Sequence, residues 1–353
     1  MRVAIDISPL HSGHYLQHRV RGTGFYLQNL REGLLKYQTE GEFLFFNRGE
    51  KIPNGIDLIH YPYFEPFFLT LPLVKRKKTV VTVHDLTPLV FKDNFPVGVR
   101  GEMKWRIQKN SLERSDAIIA DSNSSKRDIL RFLNFDTQKV HVVYLAAASH
   151  FKQIPVDKKN EVKHRLNLPD KFALYVGDAT WNKNLPRLIE AINKTDYYLV
   201  IAGGAFKSKD YDKTNPWNKD LAFSQALAEK NEKIISLGFV ENDDLAALYN
   251  AAILFVMPSL YEGFGLPILE AMQSGCPAVT SKSGSLGEVA GDAAYFVDPL
   301  HSDSIAQGIK KVWEENQIRE KLSKAGLKQA KKFSWDKSVS NTIEVYKKAI
   351  YNK

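Results

Sequence analysis

The sequence predicts an α/β protein built as two doubly wound halves, and three observations carry that expectation. Short β-branched runs alternate with longer helical patterns almost from end to end, the signature of parallel sheets covered by helices on both faces. The alternation restarts midway, after a polar stretch that holds two prolines. At 353 residues the chain is long enough for two domains of ordinary size.

In the first half, strands are expected at 2–6, 42–46, 57–61, 78–85, 116–122 and 139–144. In the second half they are expected at 172–178, 197–204, 233–239, 252–259, 277–281 and 293–298. The polar stretch near 150–165 reads as the linker, which divides the chain into 1–152 and 153–333. A last helix over 334–353 is expected to pack back on the first domain. Two doubly wound halves imply a cleft, with ligands at the carboxyl ends of the strands. His84 and Asp85, Asp178, and Tyr261-Glu262-Gly263 fall at such strand ends. The polar segment 206–220 reads as an inserted surface loop.

Composition narrows the class. With 44% hydrophobic and 25% charged residues the chain can fill a globular core. A single cysteine, Cys276, excludes an internal disulfide framework and suits a reducing compartment. No stretch approaches the ~20 apolar residues of a membrane span, and the start "MRVAIDISPL" reads as a strand, not as a signal peptide. A cytoplasmic protein is expected. Residues 1–152 hold 22 Lys+Arg against 15 Asp+Glu, so most of the net charge of +9 belongs to the first half, including Lys75-Arg76-Lys77-Lys78. Such a surplus is either a solvated surface or an attraction to an anionic membrane or a phosphate-bearing acceptor. Nucleic acid is not expected, because no aromatic residues interleave with the basic ones.

The chemistry concentrates in "SLYEGFGLPILEAMQSGCP", 259–277. A helix is expected to start near Gly265-Leu266-Pro267, since proline is favoured in a first turn. Gly263 and Gly265 let backbone N–H groups approach a ligand at that helix start. Glu262 precedes the helix and Glu270 lies about one turn inside it. Carboxylates accept hydrogen bonds from hydroxyls, so a sugar and a ribose are natural partners. The bland alternative makes both glutamates helix-end charges.

The same stretch resembles the E-x7-E signature of the retaining family-4 glycosyltransferases (GT4), whose GT-B fold has two Rossmann-like domains facing a central cleft. Further matching segments follow in family order. They are "RGTGFYLQNLREGLL" (21–35), "VTVHDLTPL" (81–89), "ADSNSSKRDIL" (120–130), "NKNLPRLIEA" (182–191), "GFVENDDLAALYNAA" (238–252), "GEVAGDAAYFVDP" (287–299) and "FSWDKSVSNTIEVYKKA" (333–349). The resemblance implies that Glu270 binds ribose hydroxyls and that Glu262 contacts the donor sugar near the reacting carbon. It places the backbone of Gly263, Phe264, Gly265 and Leu266 against the sugar and diphosphate. Lys183 is to neutralise the diphosphate, Gly22 and Gly24 to bring the N-terminal loop against the sugar-phosphate, and His84 to hydrogen-bond the sugar. Gly238 to Val240 are to lie near the base. For His84 the alternative is a satisfied core histidine. One departure stands out: Asp178 occupies the place where many relatives carry an arginine, and Arg187 or a residue of 19–21 is the candidate replacement.

Rival motifs are weaker. Asp210-Tyr211-Asp212 has the D-x-D form of metal-dependent transferases but lies in the polar loop among lysines. "GTGFYL" lacks the spacing of a dinucleotide fingerprint, no phosphate-binding G-x-x-x-x-G-K-[ST] occurs, and no Cys/His cluster has zinc spacing. The resemblance therefore implies a retaining hexosyltransferase that needs no metal and no cofactor beyond its nucleoside-diphosphate sugar, with mannose from GDP-mannose as the expected donor. The acceptor is expected to be a glycan or lipid-linked hydroxyl in polysaccharide synthesis, with peripheral contact at the inner membrane face. The alternatives are a catalytically silent nucleotide-sugar-binding scaffold and a UDP-sugar epimerase on the same double fold.

Overall fold

The computed structural model describes residues 1–11, 22–37 and 41–351. Two compact units emerge: residues 1–146 with 333–353, and residues 147–332. In the first unit the strands are β1 (Arg2–Asp6), β2 (Glu42–Phe46), β3 (Leu58–Tyr61), β4 (Lys78–Val83), β5 (Ala117–Ala120) and β6 (Val140–Val142). They form one sheet in the order β2-β1-β3-β4-β5-β6, parallel at every pairing. The second unit has β7 (Ala173–Val176), β8 (Leu199–Ala202), β9 (Ile234–Gly238), β10 (Leu254–Met257), β11 (Ala278–Thr280) and β12 (Ala294–Phe296). Their order is β12-β11-β10-β7-β8-β9, again all parallel. Each strand lies within a run expected from the sequence. Central strands such as β4, β7 and β10 are buried along nearly their whole length, which is why they read as unbroken apolar runs.

The helices of the first unit are α1 (Gly22–Lys36), α2 (Thr87–Val90), α3 (Gly98–Glu113) and α4 (Asn123–Phe132). The second unit contributes α5 (Val156–Arg165), α6 (Leu185–Ile192), α7 (Gly204–Lys207), α8 (Lys219–Ala228), α9 (Asn242–Ala251), α10 (Leu266–Gln273), α11 (Leu286–Ala290), α12 (Ser302–Glu314) and α13 (Asn316–Ala330). The last helix, α14 (Trp335–Tyr351), belongs to the first unit. There Tyr346 hydrogen-bonds His60 of β3 at 2.7 Å. A Cβ on Gly33 of α1 would lie 2.4 Å from Val339, so α1 and α14 touch where only glycine fits.

The linker expected near 150–165 needs correction. Chain membership changes at Ala147, because the Gln273 side-chain amide donates to the Ala148 and Phe151 carbonyls, 2.9 and 2.7 Å, and Phe151 packs edge-on against Tyr249. Residues 156–165 are not linker but helix α5, seated on α9 and joined to it through Arg165 and Asp244.

Candidate active site

Strand order positions the site. In the second sheet the chain runs outward from β7 through β8 to β9, then returns to place β10 on the other side of β7. The loops that follow β7 and β10 therefore leave from neighbouring strands at the point where the order reverses, which is where open α/β sheets form binding crevices. Lys183 comes from the first of these loops and Glu262 from the second. The Lys183 ammonium donates to both carboxylate oxygens of Glu262, each at 2.8 Å, and the pair is mostly shielded from solvent. The two loops are also tied through their backbones. Leu260 N–H donates to the Asn182 carbonyl at 2.7 Å, and the Asn182 side chain donates to the Tyr261 carbonyl at 3.0 Å. Asn184 adopts a left-handed φ of 61° and its side-chain amide donates to the Pro258 and Pro299 carbonyls.

The turn 262–265 is braced from behind by α11. Ser285 donates its hydroxyl to the Glu262 and Phe264 carbonyls, 3.0 and 2.8 Å, and its N–H to the Glu262 carbonyl. Gly284 (φ 61°) passes so close that a Cβ there would lie 2.5 Å from the Glu262 carbonyl oxygen. Gly265 caps α10 at φ 93°, a left-handed conformation natural to glycine, and Pro267 follows in the first turn.

Glu270 does not share Glu262's partner. It is buried on α10 and accepts from the Tyr249 hydroxyl of α9 at 2.8 Å. Burial pushes its carboxyl up to about 7, against an ordinary 4.5, while the tyrosine bond pulls the other way. Val240 follows β9 and is half-buried. Gly238 ends that strand at φ 76°.

The first unit holds the other expected residues. Val83 of β4 pairs with Ala120 of β5, so the next residues along, His84 and Asp121, leave the sheet side by side. His84 Nδ1 and Asp121 Oδ2 are 2.7 Å apart, and the Tyr26 ring of α1 meets the imidazole edge-on at 4.8 Å. Burial alone would lower the His84 pKa. The Asp121 carboxylate, Asp85 and the nearby Pro62 carbonyl outweigh it, and the value is raised. Burial holds the Asp121 carboxyl up as well. Among the described residues His84 Nε2 makes no well-aligned hydrogen bond, although the Pro62 carbonyl lies close to the ring. The satisfied core histidine is His60, fully buried, with Tyr346 on one nitrogen and Thr82 on the other at 2.9 Å. Burial, followed by repulsion from His84, drives its pKa down to about 3. Gly22 is exposed at the start of α1, and Gly24, two residues on, is buried. Residues 12–21, including 19–21, lie outside the described residues.

Family comparisons agree across both units. Residues 156–329 match the model of glycosyl transferases group 1, and residues 14–147 match that of glycosyltransferase family 4. The O-antigen chain mannosyltransferase B of Escherichia coli is 32% identical over 306 residues, which cover 82% of this chain and 75% of that one. This chain belongs to the group 1, family 4 glycosyltransferases. The serotype-specific mannosyltransferase WbdA of Escherichia coli is 30% identical over 76% of this chain, but the match spans only 33% of WbdA. The fold is that of Anabaena HepE, solved with UDP-glucose, at a TM-score of 0.71 with 17% identity over 98% of both chains. The protein is thus a glycosyltransferase of GT-B architecture.

Within this glycosyltransferase the residue at the expected arginine position, Asp178, is half-buried just past β7. The Asp178 carbonyl accepts from the Tyr175 hydroxyl at 2.6 Å. Arg187, a candidate replacement, donates to the Asn184 side chain at 2.9 Å, which places its guanidinium beside the loop that carries Lys183. Asp212 turns inward on its own loop, accepting from the Thr214 N–H and hydroxyl at 2.9 and 2.6 Å. Ser285, Asn182, Asn184, Tyr249 and Asp121 complete the two sites, and none carried a role from sequence. An isolated Ser, Asn or Tyr has no local pattern that announces a distant partner.

Proposed function

We propose that this glycosyltransferase moves mannose from GDP-mannose to a hydroxyl of a glycan or lipid-linked acceptor in polysaccharide assembly, with retention and without a metal ion. The Lys183–Glu262 pair at the crossing of the β7 and β10 loops carries the reading. A diphosphate beside Lys183 gives the ammonium a second anionic partner as charge builds on the leaving group. Glu262 can then turn an oxygen to the sugar hydroxyls. Glu270 accepts from the ribose, and His84, steadied by Asp121 and Tyr26, hydrogen-bonds the sugar. In a front-side displacement the bond from the anomeric carbon to phosphate oxygen breaks. The acceptor oxygen bonds to the same face, and its proton passes to the departing phosphate. Support for mannose comes from the two relatives named as mannosyltransferases, and support for a nucleotide-sugar donor from the fold shared with HepE. Among the described residues no helix is long and apolar enough to cross a membrane. Cytoplasmic location, with peripheral contact of the first unit at an anionic membrane, completes the proposal.

A panel of nucleotide sugars in thermal-shift and transfer assays tests it. GDP-mannose should give the largest shift, and transfer should persist in EDTA. A shift confined to a UDP-sugar reassigns the donor, no shift at all favours a scaffold, and a strict manganese requirement returns Asp210 and Asp212 to the site.

A further inference from the structure

The outer face of α3, with the loop fastened along its flank, has the chemistry of a lipid-facing surface. Val99, Met103 and Ile107 recur at i, i+4 and i+8, one stripe of the helix, and are 79%, 60% and 38% exposed. The opposite face, through Gly101, Trp105, Gln108 and Leu112, is buried. Beside the stripe runs loop 68–75, in which Phe68 and Leu69 are about half exposed and Leu73 and Val74 are 62% and 72% exposed. These seven are most of the ten large apolar side chains that the first unit leaves in solvent among its described residues. Scattered single leucines need no explanation, but a concentration of this kind does.

The loop is not loose. Gln108 Oε1 accepts from Thr70 N–H, Thr70 hydroxyl and Leu71 N–H at 2.8–3.0 Å. Ser111 donates to the Pro72 carbonyl at 2.7 Å, and Lys75 donates to Ser111 O and to Ser115 Oγ. These contacts, buried or partly buried, fasten the loop on either side of Leu73 and Val74. Charge surrounds the apolar patch: residues 66–78 and 98–113 contain eight Lys or Arg against two Asp or Glu. Lys104 sits over the Phe68 ring at 5.6 Å, and Arg100, Arg106, Arg76 and Lys77 are exposed. One of the two acids, Glu102, pairs with Lys92. An aliphatic stripe on a convex helix, rimmed by cations, suits a planar anionic interface better than a peptide groove.

We infer that α3 and loop 68–75 together form the surface by which this protein docks on an anionic lipid bilayer. The inference deepens the peripheral-contact part of the proposed function and is independent of which sugar is transferred. It also corrects the expectation placed on Lys75-Arg76-Lys77-Lys78. Lys75 is half-buried and spent on α3, with its pKa lowered to about 8 by burial, and Lys78 pairs with Asp116 at 2.8 Å. Replacing all four would loosen the loop as well as remove charge.

The test uses the full chain and vesicles of phosphatidylcholine with or without phosphatidylglycerol. Wild type should co-sediment with the anionic vesicles at low salt and not with the neutral ones. The triple variant Val99→Gln, Met103→Gln, Ile107→Gln should lower binding by at least about tenfold, and Arg100→Gln, Lys104→Gln, Arg106→Gln by about a hundredfold at low salt. Both should keep the wild-type melting temperature, nucleotide affinity and turnover on a soluble acceptor. Equal pelleting of wild type and the apolar variant overturns the inference, as does absence of wild-type binding. A concentration-dependent dimer that the apolar variant abolishes, without vesicle binding, reassigns the face to self-association. Loss of nucleotide binding in wild type would instead sink the transferase reading and leave the docking result standing.

Discussion

At Glu270, burial sets the ionisation of a single carboxyl against the stability of the fold. Its carboxyl keeps a proton in the folded protein up to about pH 7, whereas the unfolded chain releases it near 4.5. Between those values the folded state binds more protons, so its stability falls as pH rises through the window and stays lower above it. Glu270→Gln has no such titration. The variant should therefore gain stability relative to wild type between pH 5 and pH 8, the window set by that raised pKa. Nucleoside diphosphate affinity should move oppositely, with the variant weaker by roughly 1.5–3 kcal/mol at high pH, where wild type offers an ionised acceptor, and by less at low pH. Denaturation and calorimetry at the two pH values check both. An affinity loss of the same size at each removes the ionised carboxylate from nucleotide recognition. Glu262→Ala should act differently, lowering turnover while nucleotide affinity holds, because its proposed contacts lie at the reacting sugar. Collapse of affinity with normal turnover on bound donor would exchange the two roles.

At the scale of elements, the glycine turn is shaped by a neighbour that the signature does not include. Gly284 and Ser285 at the head of α11 press on and hydrogen-bond the backbone of 262–264. Gly284→Ala combines a positive φ, worth about 1–2 kcal/mol for an L-residue, with contact against main-chain atoms that cannot rotate away. The expected result is a displaced turn. Turnover should fall strongly, while β7–β10 pairing and the overall fold persist in hydrogen exchange. Unchanged kinetics would show that the turn tolerates movement and that its geometry does not set the reaction.

Across the whole molecule, the chain leaves the first unit after Ala146 and returns to it at Phe333. The return inserts Tyr346 against His60 and Val339 against Gly33. Ending the chain at Lys332 should thus expose the core face of α1 and unpair His60 Nδ1, a buried group whose lost partner costs about 1–3 kcal/mol by itself. Limited proteolysis of that truncation should degrade residues 1–146 first and spare 147–332. Equal resistance of the two parts would mean that α14 adds little to the first unit.

Much of the fold is legible in the sequence because buried parallel strands need continuous apolar runs, and each of the twelve expected runs contains an observed strand. The E-x7-E stretch is likewise local, so the helix start at Leu266 follows from nearby residues, whereas the burial of Glu270 against Tyr249 of α9 does not. Tertiary structure decided how two histidines are held: His60 sits mid-strand between Tyr346 and Thr82, while His84 steps past the strand end to pair with Asp121. It made Lys75 a half-buried brace where the charge run suggested a surface. It also joined Lys183 to Glu262, 79 residues apart, because β10 lies against β7 and not against β9, which precedes it. Periodicity reports which side of an element faces inward. Strand order, and with it the meeting of distant loops, is a property of the packed sheet that no local pattern encodes.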